Sequence, residues 1–184
     1  GIHIQNYEKM LYVNEIKQAF KISTLRTVIG TALMVAASGL VGFLVTKKEM
    51  WARSFLYRFI VITMYFNAGL IPWFLNMRML GLTDNFLGYI IPGIVAPYNI
   101  ILVKTYIESI PAELEESAYI DGATYMKVFW RIIWPLSKPI LATIAIFGAV
   151  GNWNSFQDSL ILMQNKSSLH TLQHRLWIYL SEAS

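Results

Sequence analysis

Apolar residues in this chain run in long uninterrupted stretches instead of alternating with polar ones. Between Arg26 and Lys47 lie 20 residues without an Asp, Glu, Lys or Arg. Runs of 19 such residues separate Arg58 from Arg78, Asp84 from Lys104, and Lys138 from Asp158. At a rise of ~1.5 Å per residue, a helix of that length crosses the ~30 Å hydrocarbon core of a bilayer. The pattern predicts an all-α, polytopic membrane protein with four transmembrane helices, at about 23–45, 54–76, 85–106 and 138–163.

The spans differ in texture. The first carries Gly30, Ala32, Ala36, Ala37, Gly39 and Gly42, small residues that let helices approach closely. Pro72 predicts a kink in the second. The third contains Pro92, Gly93 and Pro97, a composition that membranes tolerate where protein or a cavity satisfies a broken backbone. Residues 1–21 read as an external amphipathic segment, with Ile16 and Phe20 at helical spacing behind Tyr7, Met10 and Leu11. A short external turn is expected at 81–84, and a second external segment over 164–184 with a helical end. No internal repeat or low-complexity tract is visible.

Composition sharpens the reading. The 184 residues are 55% hydrophobic and 14% charged, with a mean hydropathy of +0.46. All 26 charged residues fall outside the four windows, where even placement would put about eleven of them. Soluble globular, disordered and disulfide-scaffold classes are excluded. The net charge of +4 fits basic residues flanking spans better than nucleic-acid binding. Lys47, Lys48, Arg53 and Arg58 face only Glu49 in the short loop 47–58, which assigns that loop and 104–138 to the cytoplasm. A start at Gly1 and an abrupt end at Ser184 suggest an internal piece of a longer protein. Absence of cysteine excludes thiolate metal sites and thiol catalysis.

The loop between the last two spans holds the strongest signal. Residues 109–135 read SIPAELEESAYIDGATYMKVFWRIIWP. Pro111 suits the first turn of a helix, and Glu113, Glu115 and Glu116 suit its positive end. Leu114 and Ala118, flanked by Ser117, form a narrow apolar face. Gly122 can end that helix and Thr124 can cap the next. In the second helix Tyr125, Val128, Phe129, Ile132 and Ile133 share one amphipathic period, Lys127 and Arg131 take the polar face, and Pro135 is expected to stop it. This helix–turn–helix admits three readings: an interfacial connector, a DNA reader, or a docking element for a cytoplasmic partner. Two basic residues in the second helix and an adjacent membrane argue against the DNA reader.

The same segment resembles the EAA loop of permease subunits of binding-protein-dependent ABC transporters. That pattern is Glu-Ala-Ala, three residues, Gly, nine residues, Ile, one residue, Leu-Pro. Here Glu116, Ser117, Ala118, Gly122, Ile132, Trp134 and Pro135 stand at that spacing, with Ser117 for Ala and Trp134 for Leu. The stretch YIDGATYMKVFWRIIWPLSKPILATIAIF resembles the maltose-type, carbohydrate-uptake branch. MYFNAGLIPWFLNMRMLGL and GNWNSFQDSLILM resemble its complex-sugar and polysaccharide members.

This resemblance, covering most of 20–180, implies a single permease domain over 1–184, four helices of the six expected in a type I importer. It implies residence in the bacterial cytoplasmic membrane, an ABC ATPase partner, a second and usually different permease subunit, and an extracellular or periplasmic solute-binding protein. Glu115, Glu116, Ser117, Ala118, Asp121, Gly122, Ile132 and Pro135 would couple to the ATPase. The chain has no Gly-rich phosphate loop of its own, so the energy source must be a partner. No cofactor, catalytic residue or metal site is expected. Import of another solute such as a peptide or amino acid, or a scaffold or secondary transporter without an ATPase, are the alternatives.

Polar residues within the spans form a second candidate set. Asn152, Trp153, Asn154, Gln157 and Asp158 lie near the outer end of the last span, and Asn67 and Asn99 in the second and third. Such groups either line a translocation path, where amides and an indole suit a sugar, or hydrogen-bond neighbouring helices. His170 and His174, four apart, lack a third ligand nearby and read as a partner-facing or exposed pair instead of a metal site.

Overall fold

The computed structural model describes residues 14–182 and is helical throughout, with no strand among the described residues. Helix α1 runs Asn14–Leu44, α2 Arg53–Tyr65, α3 Leu70–Met79, α4 Leu87–Ile94 and α5 Pro97–Glu108. Then follow α6 (Glu113–Ile120), α7 (Tyr125–Leu136), α8 (Lys138–Asn154), α9 (Gln157–Leu162) and α10 (Leu172–Glu182). The chain clusters into two compact units. One takes 14–31, Ala68–Gly93 and 148–182 of the described residues; the other takes Ala32–Asn67 and Ile94–Phe147.

Of the four expected spans, the first is one continuous helix long and apolar enough to cross a membrane. It starts earlier than expected, so 14–21 belong to α1 and not to a separate external segment; 1–13 lie outside the described residues. The third is a pair of helices broken at Val95 and Ala96, as Pro92, Gly93 and Pro97 foretold. Pro92 lies within α4 and Pro97 opens α5.

The second window departs from expectation. It is divided between α2 and α3, and the break lies at 66–69, not at Pro72. Pro72 is the third residue of α3, in the first turn, where a missing N–H costs no hydrogen bond. Gly69 supplies φ 88° just before it. The last window ends early as well: α8 stops at Asn154 and a new short helix begins at Gln157.

Each unit has its own interior. In the first, Ala19, Ile22, Met77, Leu82, Tyr89, Ile90, Leu162 and Met163 are buried. Helix α3 closes with a Schellman motif: Leu82 N–H bonds Met77 O at 2.9 Å and Gly81 N–H bonds Arg78 O at 3.1 Å, with Gly81 at φ 68°. This confirms the turn at 81–84. In the second unit Met34, Phe43, Val103, Ile107, Val128, Phe129, Ile133, Leu141 and Ile144 form one apolar cluster. The Phe43 and Phe129 rings sit 5.2 Å apart at its centre.

Candidate functional site

The helix–turn–helix of 109–135 is built within the second unit. Pro111 precedes α6 instead of occupying its first turn, and Ala112 takes the cap position. Glu113, Glu115 and Glu116 follow in that first turn, at the positive end of the helix dipole. Helix α6 ends in a second Schellman motif. Ala123 N–H bonds Ala118 O at 2.9 Å, Gly122 N–H bonds Tyr119 O at 3.0 Å, and Gly122 stands at φ 77°. Thr124 then caps α7, its side chain accepting from Lys127 N–H.

Helix α7 ends at Leu136, one residue past Pro135, after a π-helical turn over Phe129–Ile133 in which Trp134 N–H bonds Phe129 O. The missing proline N–H removes one donor from the ladder, and the widened turn beside it shifts the neighbouring bonds by one residue. The chain bends at Ser137, by 76° into α8.

Burial sorts the expected coupling residues into two groups. Glu116, Ser117, Asp121 and Gly122 are exposed. Ala118 and Ile132 pack against the apolar cluster, with Tyr119, Ala123 and Trp134 beside them. Pro135 is exposed on α7. The loop thus holds its polar face outward by burying its own apolar residues. Ile120 is 86% exposed, and the sequence reading passed over it. It lies four residues after Glu116 and three after Ser117, and therefore on their face of α6.

Glu115 behaves differently from its neighbour. Its carboxylate pairs with Lys47, and both side chains are largely withdrawn from solvent (14% and 13% exposed). Tyr119 donates its hydroxyl to the same carboxylate at 3.3 Å. Burial, then the negative charge of Glu115, raises the Tyr119 phenol above the ordinary tyrosine range. The Lys47 ammonium also lies 4.4 Å from the Phe43 ring centre. An open cleft of about 410 Å³ adjoins this pair, lined among others by Lys48, Glu49, Glu108, Glu116 and Tyr125. Loops 47–58 and 104–138, assigned to one side of the membrane by charge, are thus joined by a direct ion pair.

The polar span residues are divided between the two units. Asn67 and Asn99 belong to the second unit and the others to the first. Asn67 lies in the break between α2 and α3. Asn99 points its amide at the Met34 sulfur, 3.0 Å away. Asn152 donates to Thr31 Oγ1 at 3.3 Å, and Trp153 packs edge-on against Phe20. Asn154 and Gln157 are exposed. Asp158 is committed to Arg26, a residue the sequence reading used only as a window boundary. Arg26 is 2% exposed; its guanidinium pairs with Asp158, donates to Ser155 O at 3.2 Å and lies over the Tyr89 ring.

Asp158 also accepts from the Ser155 hydroxyl and the Ser159 N–H. Ser159 Oγ is 2.8 Å from the Tyr89 hydroxyl and 2.9 Å from His174 Nδ1. The His170 and His174 rings stack with centres 4.1 Å apart. Against the expectation of an exposed or partner-facing pair, His174 is buried and His170 half-buried, and no metal-ligating cluster exists among the described residues. His170 Nε2 faces the Met163 carbonyl at 3.0 Å and must donate to it, which leaves Nδ1 bare and buried. Burial, then His170 and Arg175, push His174 down to about 4, and burial lowers His170 in the same direction.

A family model described as "Binding-protein-dependent transport system inner membrane component" matches residues 21–182. The chain belongs to this family. It is 38% identical over 146 residues to Protein LplC of Bacillus subtilis, covering 79% of this chain and 50% of that one. It is 34% identical over 161 residues to the polygalacturonan/rhamnogalacturonan transport system permease protein YtcP of the same organism, covering 88% and 56%. A crystal structure of a bacterial ABC transporter involved in the import of the acidic polysaccharide alginate superposes with a TM-score of 0.89 at 33% identity. That match covers 97% of this chain and 63% of the other. The chain therefore spans about half the length of the curated relatives it matches. Its fold is that of an ABC importer permease, and its family is one of inner-membrane transport components.

Proposed function

We propose that this chain forms part of the permease subunit of an ABC importer that moves an oligosaccharide or complex sugar across the bacterial cytoplasmic membrane. The observation that carries this reading is the helix pair α6–α7. Its glycine-closed turn is self-capped, its apolar side is rooted in the core, and its outer face presents Glu116, Ser117, Ile120 and Asp121 to solvent. A rigid handle of this kind suits a motor that must push on it. Membership of a binding-protein-dependent family supports an external solute-binding protein as donor. A second permease subunit completes the pathway in this reading, and an ATPase on the cytoplasmic side grips 109–135.

In operation, each nucleotide state of the ATPase favours one arrangement of the spans, and the handle transmits the preference. The interrupted helices α4–α5 and α2–α3 are the elements that suit the lining of a path. The sugar assignment draws support from relatives named for polygalacturonan/rhamnogalacturonan and arabinooligosaccharide transport. The test is co-purification of the full protein with its ATPase subunit. Deletion of 116–122 is expected to abolish association while the permease still inserts. An ATPase that stays bound to the deletion variant contradicts the reading.

A further inference from the structure

The two adjacent glutamates of α6 face different ways. Glu116 is exposed, whereas Glu115 is turned inward to Lys47 and Tyr119. Lys47 is not a distant surface residue. Its N–H bonds Leu44 O at 3.0 Å, so it continues the last turn of α1, the one unbroken helix of spanning length among the described residues. Its ammonium rests on Phe43, which is fully buried against Phe129 of α7. One desolvated ion pair therefore joins the outward-facing helix of the loop to the end of a membrane helix. Both partners rest on the same aromatic core, since Tyr119 packs on that cluster and lies 5.1 Å from Tyr125.

We infer that the Lys47–Glu115 pair is a positioning contact that transmits force from α6 into α1. The inference rests on the coupling role proposed for 109–135. An exposed ion pair between long side chains yields under load, because water competes for both charges. A pair with about 14% exposure on each side behaves otherwise, because separating it strands two charges in poor solvent. Displacement of α6 is then followed by the end of α1. Glu116 is left free for the motor, and Glu115 serves its own chain.

The test uses the full transporter, purified with its ATPase and reconstituted in proteoliposomes, and reads ATP hydrolysis without added solute. In the intact complex the motor works against the resting arrangement of the spans, which slows it. Lys47→Met and Glu115→Gln each sever the link, and unloaded hydrolysis is expected to rise about fivefold, the lower end of ordinary coupling energies. The reversed pair, Lys47→Glu with Glu115→Lys, is expected to return to the wild-type rate. Wild-type rates in the single variants, or a fast rate that the reversed pair does not lower, overturn the inference. Co-elution of ATPase with every variant separates the two readings. If wild type itself fails to hold the ATPase, the coupling role falls; if it holds and the rates do not move, only the ion pair falls.

Discussion

The indole of Trp134 occupies the space that Gly39 leaves vacant: a Cβ built on Gly39 would stand 2.7 Å from Trp134 Cζ3. Trp134 is also one of the two departures from the EAA-loop pattern, standing where that pattern has Leu. The glycine in α1 and the tryptophan in α7 thus form one close helix contact. Gly39→Ala is expected to destabilise the protein by about 1–3 kcal/mol through overpacking. Adding Trp134→Leu is expected to recover most of that. Thermal unfolding of the detergent-solubilised variants checks it, and a Gly39→Ala variant as stable as wild type would refute the contact.

The buried Arg26 depends on Asp158. Asp158→Asn leaves the guanidinium without its counter-charge and is expected to cost about 3–5 kcal/mol. Arg26→Met combined with Asp158→Leu removes both charges and is expected to cost far less. Yield and melting temperature of the two variants, measured side by side, give the comparison. Equal losses would mean the pair itself, and not the stranded arginine, matters.

Both stacked histidines are held neutral by burial, so the packing of 164–182 is linked to pH. A histidine with a lowered folded value binds its proton more readily when unfolded. The packing is therefore at full strength above about pH 6.5 and weakens as pH falls toward 4, the region to which His174 is pushed. The protection of the amides over residues 167–180, with the intrinsic pH dependence of exchange divided out, is expected to fall between pH 7 and pH 5. His174→Gln is expected to flatten that dependence, and an unchanged profile in this variant would sink the linkage.

Gly122 has open space around it and a φ of 77°, so substitution there strains the backbone without creating a clash. Asn is expected to be tolerated and Val to cost about 1–2 kcal/mol. The strain falls on the turn that sets α6 against α7. Gly122→Val is therefore expected to insert normally yet weaken ATPase association in pull-down, with Gly122→Asn close to wild type. Undiminished association in the valine variant would remove the turn from the mechanism.

How much was readable in the chain differs from element to element. Gly122 and Thr124 did what their chemistry allows, because a left-handed turn and an N-cap are local properties of one or two residues. Pro135 likewise stands one residue before the end of α7. Pro72 did not kink its span, since the helix begins two residues earlier and a proline in a first turn costs no hydrogen bond. Among the site candidates, the exposed Glu116 fits a solvated helix start, whereas Leu114 and Ser117, placed on or beside an apolar face with Ala118, are exposed and only Ala118 packs inward. The inward turn of Glu115 did not follow from spacing, because its partner Lys47 lies 68 residues away. Ile120 was missed since an isolated apolar residue on a polar face leaves no periodic trace.

The sequence alone determined that the chain is helical, that it is built for a membrane, and that 109–135 is a helix–glycine–helix element. Each of these depends on composition or on contacts within a few residues. Tertiary structure alone decided that the second window breaks at 66–69, which glutamate is buried, and that Arg26 and Asp158 neutralise each other. Those outcomes depend on charges and ring faces brought together from distant positions, where the cost of desolvation is set by neighbours that no local pattern encodes.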